Sequence, residues 1–122
     1  MRVIVTGSRV FDDYRMIEQA LLALEANLDP KWDWADITLI HGGAAGADSM
    51  AAQVARELGW KVEAHPADWD QYGKRAGYLR NQEMLDAGAD MVVAFPIGES
   101  KGTRMMIDLA TKAGIPVEVW ES

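Results

Sequence analysis

Residues able to do chemistry fall in four places along this chain. Ser8 and Arg9 follow Gly7, and Asp48 follows the turn His41-Gly42-Gly43-Ala44-Ala45-Gly46. Arg80 and Asn81 stand in a basic, aromatic stretch, and Thr103 closes the run Phe95-Pro96-Ile97-Gly98-Glu99-Ser100-Lys101-Gly102-Thr103-Arg104. Hydroxyls, guanidinium groups and unhindered backbone N–H groups all bind anionic oxygens, phosphate above all.

The run 95–104 carries this reading furthest. It follows the apolar segment Met91-Val92-Val93-Ala94-Phe95, a buried strand, and precedes Met106, Leu109, Ala110 and Ala113 at helical spacing. A strand-to-helix turn exposes N–H groups that have no partner inside the helix. With the helix dipole they form an anion site, in which Pro96, Gly98, Gly102 and Thr103 shape the loop. The turn 42–46 offers the same chemistry. Its spacing is G-G-x-x-G, not G-x-G-x-x-G, and no Walker lysine follows, so it is not a P-loop. Asp48 is placed either to receive a sugar hydroxyl or to complement the helix dipole. Taken alone, Gly7-Ser8-Arg9 is a turn glycine with two surface residues; beside the other turns it flanks a phosphate. Trp69 or Tyr72 can stack a base. Cations at residues 74, 75 and 80 oppose a helix dipole, which suggests that they answer a ligand or a carboxylate.

These residues need a frame. Strands are predicted at residues 2–6, 37–40, 61–65, 91–95 and 115–120. Helices are predicted at residues 13–27, 47–58 and 74–87, and after the 95–104 turn as far as residue 113; residues 66–73 read as loop. Strict alternation without a hairpin signal implies an α/β fold: a single Rossmann-like three-layer sandwich, with a mostly parallel five-stranded sheet and helices on both faces. Such sheets bind ligands beyond the carboxyl ends of their strands, where the strand order reverses. The turns after strands one, two and four all lie at that end.

Composition narrows the partners. The formal charge is −7, which opposes binding to duplex DNA, while the partial clustering of Lys74, Arg75 and Arg80, and of Lys101 and Arg104, suits a small anionic ligand better than a long polyanion. With no cysteine and two histidines, thiol chemistry is excluded and no metal site is expected; Mg²⁺ would enter only with a phosphate ligand. Length implies one domain, and no long apolar run or leader pattern is present, so a cytoplasmic protein off the membrane is expected. Of five tryptophans, Trp32 and Trp34 sit in a loop, where they either anchor it or form a subunit interface; a homo-oligomer is expected.

The ordered set Thr6-Gly7-Ser8-Arg9, Gly42-Gly43-x-x-Gly46-x-Asp48, Pro66-Ala67-Asp68-Trp69, Ala76-Gly77-x-x-Arg80-Asn81-x-x-Met84 and Ala94-Phe95-Pro96-x-Gly98 with Gly102-Thr103 resembles the YspA-type domains of the SLOG superfamily. The resemblance implies a Rossmann-like fold and a nucleotide or nucleotide-derived ligand. Relatives include the LOG phosphoribohydrolases and the DNA-processing protein DprA. The LOG segment Arg-Lys-x-x-Met resembles residues 80–84, which implies a catalytic role for Arg80. The LOG loop Pro-Gly-Gly-x-Gly-Thr-x-x-Glu resembles residues 96–106, but here it is two residues longer, Ile97 replaces its first glycine, and Met106 stands where the catalytic glutamate would be. A methionine cannot stabilise an oxocarbenium-like charge, so a carboxylate would have to arrive from elsewhere, from Glu99 or Asp48. The resemblance therefore implies a sensor or binding module, with an N-glycosidase or a DprA-like single-strand binder as alternatives.

Overall fold

The computed structural model describes residues 1–28, 31, 36–98 and 100–121, with the backbone alone at residue 74. Trp32 and Trp34, read as anchors or interface residues, and the loop acid Glu99 lie outside the described residues.

Five short strands form one sheet: β1 (Arg2–Gly7), β2 (Thr38–His41), β3 (Lys61–Ala64), β4 (Met91–Phe95) and β5 (Val117–Val119). The order is β3-β2-β1-β4-β5 and every pairing is parallel, so the sheet is wholly rather than mostly parallel. The chain winds outward from β1 to β3, then returns to the other side of β1 for β4 and β5. The reversal lies between β1 and β4, where Gly7 pairs with Phe95.

Side-chain alternation explains the layers. Val3 and Val5 point to one face and Ile4 to the other; Leu39 and Ile40 divide likewise, as do Val93 and Val92. Helices α1 (Tyr14–Ala26) and α2 (Ala47–Glu57) cover the first face, burying Ile17, Leu21, Ala51 and Val54. Helices α4 (Ala76–Asp86) and α5 (Lys101–Lys112) cover the second through Met84, Met106 and Ala110. Strands buried on both faces read as continuous apolar runs, as β1 and β4 do.

Local rules set the ends. Asp13 caps α1 by accepting from the Met16 N–H at 3.0 Å. The stretch read as loop holds a four-residue helix, α3 (Trp69–Tyr72), started by Asp68, whose carboxylate accepts from the Gln71 N–H. A 3-10 turn over Gly73–Arg75 follows, so the next helix begins at Ala76 rather than at residue 74. Among the described residues, no helix is long and apolar enough to cross a membrane.

Candidate functional site

At the carboxyl end of the sheet, over the β1/β4 reversal, lies a cavity of about 470 Å³. Its walls come from the loop after β1, the start of α2, helices α3 and α4, and the first turn of α5. The structure brings Gly7, Ser8, Arg9 and Asp48 together there with Arg80, Asn81, Gly102 and Thr103. Gly42, Gly43, Gly46, Pro96 and Gly98 stand outside the lining.

Glycine geometry explains part of this division. A Cβ on Gly7 would come within 2.4 Å of the Ala47 Cβ, and one on Gly42 within 2.0 Å of the Arg80 Nη1. Gly46, at φ +71°, would place its Cβ 2.5 Å from the carbonyl oxygens of Ser8 and Arg9. These three glycines admit the protein's own α2, guanidinium and β1 loop. Gly98 and Gly102 meet nothing within 4 Å.

Arg80 joins the walls. Its Nη1 donates to the Gly42 carbonyl at 2.6 Å and its Nε to the Asn81 Oδ1 at 2.9 Å. The Asn81 Nδ2 donates to the Gly102 carbonyl at 3.2 Å. One strap thus runs from the loop after β2, across α4, to the start of α5. Nη2 of Arg80 has no hydrogen-bond partner among the described residues. Burial lowers the Arg80 pKa and the charge of Arg9 adds to this, while Asp48 opposes it.

Asp48 is buried, with 5% of its surface exposed. Its Oδ2 accepts from the Gly42 N–H at 2.9 Å and more weakly from the Ala44 N–H at 3.5 Å. The other oxygen has no partner among the described residues. Burial pushes the carboxyl up to about 6, although the Gly42 N–H, the Arg80 charge, the Ala44 N–H and the Arg9 charge all resist. Asp48 therefore complements the helix start and lines the cavity at once. Its neighbour His41 is buried and is held neutral: Nδ1 accepts from the Gly43 N–H at 3.0 Å, and burial lowers its pKa, with further lowering by Arg56, His65 and Arg80.

The start of α5 presents donors. Ser100 adopts φ +36° and spends its hydroxyl on the Ile97 backbone, so it does not cap the helix. The N–H groups of Lys101, Gly102 and Thr103 have no acceptor among the described residues. Arg104 turns away, donating to the Gly98 carbonyl at 3.1 Å and pairing with Glu121 at 3.7 Å. Met106 is fully buried in the α4/α5 core, packed with Ile4, Met84 and Val92. Among the described residues, no group of three or more His, Asp or Glu side chains is placed to hold a metal ion.

The sequence reading gives no site role to the lining residues Tyr78 and Met105. Each lies one position from a residue singled out above, but only the helix phase shows which of them turns inward.

Comparison with known proteins agrees with this architecture. DNA processing protein A (DprA) from Streptococcus pneumoniae superposes with a TM-score of 0.72 over 97% of this chain, at 18% identity; the chain spans 49% of that structure's length. The Gene 61 protein of Mycobacterium phage D29 is 48% identical over 121 residues, covering 95% of this chain and 93% of that protein. A model of the YspA, cpYpsA-related SLOG family matches residues 1–72. The strand order, the turns at the β1/β4 reversal and these matches lead to one conclusion: the chain belongs to the YspA, cpYpsA-related SLOG family.

Proposed function

We propose that the cavity binds a nucleotide or nucleotide-derived ligand and that the chain acts as a sensor or binding module. One observation carries this reading: the residues that open α5, whose N–H groups have no acceptor among the described residues, line the same cavity as the half-buried Arg80 guanidinium, whose Nη2 has no partner among them either. A helix N-terminus alone is a weak signal. With Arg80 and Arg9 beside it, it suits a phosphate dianion. Asp48, set back toward α2, suits the sugar hydroxyls. The ligand brings Mg²⁺ only if it carries a polyphosphate, and self-association of the chain belongs to the same proposal.

Calorimetry of the purified protein against AMP, NAD and ADP-ribose tests the reading. Saturable binding is expected, with Arg80→Ala weakening it by roughly 10- to 100-fold, the worth of a charge-assisted hydrogen bond. No heat from any of the three counts against it.

A second reading rests on the Asp48 oxygen that has no partner among the described residues. With a pKa of about 6 it is largely ionised at neutral pH, near enough to Arg80 for their charges to interact. Such a carboxylate supplies what Met106 cannot. In hydrolysis of a nucleoside monophosphate, the C1′–N bond breaks and the base leaves with the electron pair, then takes up a proton. Water forms the new C1′–O bond and gives its proton to Asp48. Chromatography then shows free base and ribose 5-phosphate. Asp48→Asn abolishes their release while calorimetry still detects binding. Absence of base from every monophosphate tried leaves binding alone.

A further inference from the structure

Trp69 is the largest side chain on the cavity wall, and nearly half of it, 47%, is exposed. Burying so large an apolar ring is favourable, and the core has taken Trp60 to 4% exposure. Trp69 is instead held at the cavity mouth by its own short helix, which Asp68 caps. Its ring edge lies over Gly77, where a Cβ would sit 3.5 Å from Cη2. The Arg9 guanidinium lies 5.5 Å from the ring centroid. Tyr78, 49% exposed, continues the same wall. The anion donors of α5 line the same cavity, whose volume falls within the range of roughly 300–1,000 Å³ usual for small-molecule sites.

We infer that Trp69 is the stacking platform for a planar aromatic base, so that the site reads a base and a phosphate together. The inference rests on the nucleotide reading above and deepens it. Arg9 belongs to both halves, since its guanidinium already covers the indole and its charge also acts on Arg80 and Asp48. The base is recognised by its face, so larger bases gain more and no single base is required.

The test compares ribose 5-phosphate with AMP, GMP, CMP and UMP by calorimetry. Indole fluorescence serves as a second readout. The monophosphates are expected to bind roughly 10- to 100-fold more tightly than ribose 5-phosphate, the range that stacking of one base on an aromatic ring supplies, with purines ahead of pyrimidines. Trp69→Leu should bring AMP down to the affinity of ribose 5-phosphate and leave ribose 5-phosphate unchanged, whereas Trp69→Phe keeps most of the difference. Because the ring is exposed, both variants should fold, which circular dichroism checks. Equal binding of AMP and ribose 5-phosphate by the parent protein overturns the platform and leaves the anion site standing. So does an equal loss for both ligands in Trp69→Leu. If none of the five compounds binds, the platform falls, and NAD and ADP-ribose then decide whether the wider nucleotide reading stands.

Discussion

The Asp48→Asn protein is expected to be more stable than the parent by about 3 kcal/mol near pH 8, and nearly equal to it near pH 4. The carboxyl of Asp48 rises from 3.8 to about 6 on folding, because burial penalises its charged form. About two pKa units correspond to about 3 kcal/mol. A folded-state pKa above the unfolded one gives a contribution that is fully present below the unfolded value and lost as pH rises through about 6. Asparagine keeps an oxygen for the Gly42 and Ala44 N–H groups and carries no charge at any pH. His41 shifts in the opposite sense, its pKa lowered, so its contribution is present above its ordinary value and fades as pH falls; it is the same in both proteins and cancels. Chemical denaturation from pH 4 to pH 8 supplies the measurement. A stability difference that does not change with pH would show that burial of this carboxylate is not the cause. The charge that costs this stability lies close enough to Arg80 for the two to interact.

Gly46→Ala is expected to cost about 3–5 kcal/mol or to prevent folding. Two effects add. At φ +71° and ψ −126° an L side chain is strained by about 1–3 kcal/mol. A methyl there would also lie 2.5 Å from two carbonyl oxygens of the β1 loop, one of which accepts from the Ala47 N–H. Gly43→Ala makes the matched control. Its φ is +72°, but the nearest atom, the Pro66 Cβ, is 3.6 Å away, so strain of about 1–2 kcal/mol acts alone. Thermal unfolding of both variants measures the difference. Equal losses would mean that the β1 loop yields and that the packing of α2 on it is not tight.

That comparison also shows what can be read from a sequence. β4 is legible residue for residue, because Met91 to Phe95 is an apolar run between turn signals and a helical period starts soon after it. α3 is not legible, since four residues are too few for a period to register and its cause is one cap, Asp68. The glycine turns are legible as turns at the carboxyl end of the sheet. A glycine shows only that space is needed; for Gly7, Gly42 and Gly46 the claimant is another part of this chain, 38 residues distant in the case of Arg80. The burial that perturbs Asp48 likewise depends on long-range packing. The absence of a glutamate at Met106 was legible, and the structure supplies its local reason: that position belongs to the core of the α4/α5 face.

The Gly42–Arg80–Asn81–Gly102 strap has a consequence for the energetics of recognition. It ties β2's side of the sheet to β4's side through the protein's own hydrogen bonds. The aperture between them is therefore braced by the protein itself, and under the proposed binding role a ligand would not have to supply the entropy of closing a lid. Association can then approach the rate set by diffusion and orientation, with differences among ligands appearing in how long each stays.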